Sequence, residues 1–220
     1  MKTNELERMM LKDYFKFYNE LAEKYPESKM VYATEAGIIR KTRLAELLLR
    51  NPEAFTLDLG CNDGPFKPYI RNYVGLDMAS ACLGKFKATN LQAIGQNLPF
   101  RDAVFERIFI SEVLEHVWDR DQVLAECRRV LKQGGEIIVS VPYGRNPYMI
   151  RPNGVALLLR RYGVEYIPYV HGRFVKEEVG LLLERNGFTV KHLEQLEKLN
   201  IIAIGVFAHG QNCLIEAEGL

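Results

Sequence analysis

Between residues 55 and 141, short apolar runs alternate with amphipathic segments, and this alternation does most to narrow the folds open to the chain. The apolar runs are too continuous to keep one face wet, so they suit a parallel sheet covered by helices on both faces. Strands are expected at 55–59, 73–77, 91–94, 105–111 and 135–141. Between the last two, Asp119 or Asp121 can cap a helix whose apolar face is Val123, Leu124, Cys127, Val130 and Leu131, with Gly134-Gly135 ending it.

The flanks have a different texture. In 1–50, Leu6, Met9, Met10, Tyr14, Phe17 and Leu21 recur at helical spacing, as do Leu44, Leu47 and Leu48 before Asn51-Pro52 stops the run. Two helices capping the core are expected there. Residues 142–172, rich in proline, glycine and tyrosine, break the alternation. They read as a substrate-facing cap with one helix near 154–162, because long ordered loops in compact domains usually serve function. From 173 to 220 the alternation resumes, with a helix at 174–186 stopped by Asn186-Gly187 and strands at 188–195 and 200–208. One α/β domain over 1–220 is the expectation.

Several function classes are disfavoured by composition. A net charge of +1 over 220 residues supplies no global field for nucleic acid, and no RNA-binding module is evident, so nucleic acid is not expected as a partner. The longest nearly unbroken apolar stretch, Leu199 to Ala208, is about half of the roughly 20 residues a membrane span needs. The amino-terminal MKTNELERMM lacks the apolar core of a secretory signal. A cytoplasmic protein without membrane insertion is expected. The cysteines at 61, 82, 127 and 213 form no CxxC pair and have no partners at metal-ligand spacing, so neither a metal site nor a disulfide framework is expected.

The sharpest local signal is Thr56-Leu57-Asp58-Leu59-Gly60-Cys61-Asn62-Asp63-Gly64, an apolar strand running into a glycine-containing turn. Gly60, lacking a Cβ, lets a ligand lie against the main chain, and Gly64 can turn the chain onward. Asp58 can orient the turn or accept a hydrogen bond from a ligand's ammonium. Asp77 ends the next strand, Val74-Gly75-Leu76-Asp77, where a ribose's hydroxyls would be held in an open α/β sheet. The dinucleotide fingerprint GxGxxG would need glycine at 62 and 65, which are Asn62 and Pro65, and no GxxxxGK[ST] occurs. A dehydrogenase and a P-loop ATPase are both disfavoured.

At these residues the chain resembles the class I S-adenosylmethionine-dependent methyltransferases, over roughly 55–208. The resemblance rests on Asp58 to Gly64, on Asp77 as the ribose-binding acid and on Leu98-Pro99-Phe100. It rests further on Ser111 to Val117, Arg129 to Gly135, His171 to Phe174 and Leu182 to Phe188. It implies a Rossmann-like seven-stranded sheet with helices on both faces, an antiparallel last strand, and S-adenosylmethionine across the carboxyl ends of the first strands. Cofactor contacts are implied at Asp58, Gly60, Cys61, Asn62 and Gly64, at Asp77 and Met78, at Gly95, Gln96 and Asn97, and at Ser111 and Glu112. Two positions depart from the family. Its middle glycine is Asn62, which tolerates a left-handed turn better than most residues, and its adenine-binding acid is Ile94, leaving adenine to stacking or main-chain contacts around Gly95 and Gln96.

A sulfonium donor already holds the reactive methyl group, so the protein's task is to align a nucleophile and exclude water. His116, His171 and Tyr143 are the candidate catalytic groups, each with a structural role as the alternative. Arg145, Arg151, Arg160, Arg161 and Arg173, interleaved with Tyr143, Tyr148, Tyr162, Tyr166 and Tyr169, suggest an anionic acceptor; the leading reading is methyl transfer to a small, anionic or lipid-like acceptor. The competing reading is a non-catalytic protein of the same fold that binds the cofactor as a sensor or scaffold.

Overall fold

The computed structural model describes residues 3–24, 34–85, 87–144, 174–196 and 200–207. In chain order they form α1 (Thr3–Lys24), α2 (Glu35–Leu49), β1 (Thr56–Leu59), β2 (Tyr73–Asp77), the short α3 (Ser80–Leu83) and β3 (Thr89–Gln92). There follow β4 (Phe105–Ser111), α4 (Arg120–Val130), β5 (Leu131–Pro142), α5 (Lys176–Arg185), β6 (Thr189–Leu196) and β7 (Asn200–Val206). Of the excursion at 142–172 only residues 142–144 are described; the helix expected near 154–162 lies outside the described residues. Its base is tied at the carboxyl end of β5, where Gly144 N–H donates to Phe174 O and Phe174 N–H to Pro142 O, at 2.9 and 2.8 Å.

All seven strands join one sheet in the order β3-β2-β1-β4-β5-β7-β6. β1 pairs in parallel with β2 and β4, β2 with β3, and β4 with β5; β7 runs antiparallel to both β5 and β6. This is the expected Rossmann-like methyltransferase sheet. The chain leaves β1 toward β2 and β3, then returns to place β4 on β1's other side. In such sheets the reversal opens a crevice beyond the strands' carboxyl ends.

Side chains alternate across the strands, so each strand feeds two cores. Leu57, Leu59, Ile108, Ile110, Ile137 and Val139 pack on one face with Val123, Leu124 and Cys127 of α4 and Leu182 and Leu183 of α5. Phe109, Ile138, Ile202 and Ile204 pack on the other with Leu44, Leu47 and Leu48 of α2. Thr34 Oγ1 caps α2 by accepting Gly37 N–H at 3.1 Å. Asp119, rather than Asp121, caps α4 by accepting Gln122 N–H at 2.9 Å.

The largest departures from the expected bounds are at the third strand and where α4 passes into β5, which begins at Leu131 rather than 135. The third strand is Thr89–Gln92 rather than 91–94. Being a polar edge strand, it carries little hydropathy signal, and Ile94 instead faces Asn97 across a tight turn at Gly95-Gln96. The helix expected to run to Gly134-Gly135 ends at Val130. Leu131 turns extended to pair with Phe105, the register shifts, and regular pairing resumes at Arg107 opposite Glu136. Gly134, at φ +76°, lies in that interruption and donates to Phe207 O. Among the described residues, no helix is long and apolar enough to cross a membrane.

Candidate functional site

A cavity of about 410 Å³ opens at the carboxyl ends of β1, β2 and β4. Gly60 and Asn62 enter it from the turn after β1, Asp77 and Met78 from the end of β2, and Ser111 and Glu112 from the end of β4. Gly95 and Gln96 close one side, and α1 roofs it with Tyr14, Tyr18 and Ala22.

The turn is wound tightly around the end of β2. Gly60 takes φ +78° and donates to Leu76 O at 2.7 Å; a Cβ there would stand 2.2 Å from Val113 Cγ2. Asn62 takes φ +44°, the left-handed region expected of it, and its N–H donates to Asp77 Oδ2 at 2.9 Å. Ala79 N–H donates to Asp77 Oδ1 at 2.8 Å. Burial raises the Asp77 carboxyl, and these N–H bonds pull it back. A carboxylate oxygen offers about two acceptor sites, so Asp77 keeps capacity for hydroxyl donors in the cavity.

Asp58, Cys61, Gly64 and Asn97 do not line the cavity. Strand alternation turns Asp58 from the face of Leu57 and Leu59 toward α2's side of the sheet, where Tyr73 Oη donates to its Oδ2 at 2.8 Å. Cys61 is buried in the core beneath α2, where desolvation holds its thiol protonated. Gly64, at φ +74°, closes the turn by donating to Cys61 O, and Asn97 closes the Gly95-Gln96 turn by donating to Ile94 O.

Burial pushes Asp58 up to about 7, against the Tyr73 hydrogen bond that lowers it and with Asp77's charge adding to the rise. Its folded pKa lies above the unfolded value near 3.9, so between those values the folded state binds the extra proton and stability falls as pH rises. Asp58→Asn, which cannot ionise, is expected to flatten that part of the curve. Thermal melts at pH 5 and pH 8 check this: the variant's gain over wild type should be greater at pH 8, and an equal difference at both pH values would contradict it.

Gln96 brings a buried side-chain amide nitrogen to the cavity wall that has no hydrogen-bond partner among the described residues. A buried donor left without an acceptor costs about 1–3 kcal/mol, so a ligand acceptor here would be favoured. Beyond Ser111, whose Oγ lies 3.1 Å from Ser140 Oγ, the chain reaches Glu112 at φ +56°. The Glu112 carboxylate meets Arg40 Nη1 at 2.8 Å and accepts from Ser140 Oγ at 3.2 Å and Asn200 Nδ2 at 2.8 Å. Burial raises its pKa, while Arg40 and the two hydrogen bonds oppose the rise.

His116 lines the cavity, with Nε2 3.7 Å from Glu115 Oε1 and its carbonyl accepting from Tyr14 Oη at 2.6 Å. Tyr143 does not reach the cavity; it pairs with Phe174 at the base of the excursion and packs on the core. His171, like the excursion's arginines and its other tyrosines, lies outside the described residues. Sequence reasoning missed Tyr14, Tyr18, Arg40 and Glu115 as wall residues. Tyr14 did register as part of a helical stripe, but that pattern tells which face is buried, not what it is buried against.

A family model described as a methyltransferase domain matches residues 57–139. A probable S-adenosylmethionine-dependent methyltransferase of Mycolicibacterium smegmatis is 33% identical over 95 residues, covering 39% of this chain and 37% of that protein. The demethylmenaquinone methyltransferase of Thermotoga maritima is 29% identical over 144 residues, covering 58% of this chain and 61% of that protein. The chain thus spans less than two thirds of the length of either relative. Among solved structures, an S-adenosylmethionine-dependent methyltransferase from Methanosarcina mazei shares the fold at a TM-score of 0.55 and 19% identity, covering 71% of this chain and 93% of that one.

Proposed function

We propose that this chain, whose residues 57–139 match a methyltransferase domain, is a class I enzyme that transfers a methyl group from S-adenosylmethionine to a small acceptor, anionic or lipid-like. The observation that carries this reading is Asp77 facing the cavity beside the bare backbone of Gly60. The residues present suit the cofactor: Asp77 would hold the ribose hydroxyls, Gly60 and Asn62 the methionine portion, and Gln96 the adenine through its buried amide donor. When bound, the cofactor supplies an electrophilic methyl group on a positively charged sulfur. Asp77, Glu112 and Glu115 outnumber Arg40 among the carboxylates and guanidinium of the wall, a field that favours a cationic ligand.

The chain's own part is to orient and to exclude water. Tyr14, Tyr18 and Ala22 roof the cavity, and His116, on the cavity wall with Nε2 3.7 Å from Glu115 Oε1, is the candidate to take a proton from the acceptor. The roof that α1 lays over the cavity supports reading 1–50 and 55–141 as parts of one domain; 142–172 as a substrate cap rests on the sequence. The excursion's arginines support an anionic acceptor, with His171 among them, and Tyr143 would steady its base. The demethylmenaquinone named for the Thermotoga maritima relative supports the lipid-like alternative.

Calorimetric titration of cofactor-free protein with S-adenosylmethionine and S-adenosylhomocysteine tests the reading. Micromolar binding is expected, and a folded sample that binds neither would overturn it. Asp77→Ala should weaken binding by about 1.5–3 kcal/mol through lost charge-assisted hydrogen bonds. A folded variant with an unchanged Kd would remove Asp77 from the site.

A further inference from the structure

Asn62 stands at the crest of the turn where the family carries a glycine, so its side chain occupies space on the cavity wall that the family leaves empty. What keeps that side chain in one place comes from elsewhere in the fold. Asn62 Oδ1 accepts from Asp63 N–H at 2.8 Å and from the Cys82 thiol at 3.4 Å. Cys82 is fully buried on α3, packed with Ala79 and with Ala22 of α1. The Asn62 N–H in turn donates to Asp77. A continuous path of hydrogen bonds therefore runs from α3 through the β1 turn to the end of β2.

We propose that Cys82 is a positioning residue for the cofactor turn: its thiol fixes the Asn62 amide, so that this bulkier residue lies along the wall rather than across the cavity. The inference rests on the reading that the cavity takes S-adenosylmethionine. With Oδ1 committed to two donors, the amide's NH₂ is the polar group Asn62 has left to offer an acceptor. A thiol is a weak donor, but Cys82 is fully buried, so solvent does not compete for the bond. In a turn built on glycine the path would have no side chain to hold.

A double-mutant cycle separates positioning from packing. S-adenosylhomocysteine affinity is measured by calorimetry for wild type, Cys82→Ala, Cys82→Ser, Asn62→Gly and the Cys82→Ala/Asn62→Gly pair. Cys82→Ala should weaken binding about fivefold, as expected for one modest hydrogen bond. Cys82→Ser, which keeps a donor, should stay close to wild type. In the Asn62→Gly background, Cys82→Ala should change nothing. If Cys82→Ala fails to fold, Cys82→Val, of similar volume but without a donor, takes its place in the cycle. Unchanged affinity in the donor-free variant, or the same loss with and without Asn62, overturns the inference and leaves the cofactor reading standing. A folded wild type that does not bind overturns both.

Discussion

Gly60→Ala is expected to destabilise the protein by about 2–5 kcal/mol and to abolish measurable cofactor binding. Two effects add. An L-residue held in left-handed backbone costs about 1–2 kcal/mol, and Gly60 sits at φ +78°. The new Cβ would stand 2.2 Å from Val113 Cγ2, an overlap that side-chain or backbone movement relieves at about 1–3 kcal/mol. Relief means shifting the turn or the 112–113 segment, and both line the cavity. Gly84→Ala is the matched control, since Gly84 has φ −80° and nothing within 4 Å of an added Cβ. Thermal melts and S-adenosylhomocysteine titration of both variants check the expectation. A Gly60→Ala protein that melts and binds like Gly84→Ala would contradict it.

Arg40→Ala is expected to cost about 3–5 kcal/mol, the range for removing one partner of a buried ion pair. The Arg40 and Glu112 side chains are 8% and 15% exposed, so solvent screens the pair little. Glu112 also gathers Ser140 of β5 and Asn200 of β7; its carboxylate therefore ties α2 to two strands at the cavity's edge. Without Arg40, the carboxyl loses the charge that opposes its upward shift. Protonation then becomes the cheaper state, and the variant's penalty should shrink as pH falls toward 5. Arg40→Met combined with Glu112→Gln, which removes both charges, should recover much of the loss. Urea denaturation of the single and double variants at pH 5 and pH 7.5 measures this. A single variant costing less than about 1 kcal/mol would place the pair in the weak class of surface bridges.

Much of the fold was legible because it is written locally. β1, β2 and β4 are short strands rich in apolar residues and buried on both faces at nearly every position, and a strand of that kind has few other uses. The turn after β1 was legible for a similar reason, since Gly60 and Gly64 mark left-handed backbone and Asn62 is among the residues that tolerate it. β3 was misplaced because an exposed edge strand reading Thr-Asn-Leu-Gln carries no apolar period. The end of α4 was misplaced because Leu131 continues the helical stripe in sequence, while in space it is captured by Phe105.

The sequence by itself determined the order of strands and helices, the sharp turn after β1 and the carboxylate at the end of β2. Each depends on residues within a few positions of one another. Only the tertiary structure decided what surrounds the cavity. Tyr14 reaches the carbonyl of His116 across 102 residues, and Asn200 reaches Glu112 across 88. Asp58, in the same local motif as Gly60, is turned to Tyr73 by the pleat and never faces the cavity. Periodicity states which face of a segment is buried; the partner on that face is set by how the sheet twists and how helices far along the chain dock upon it.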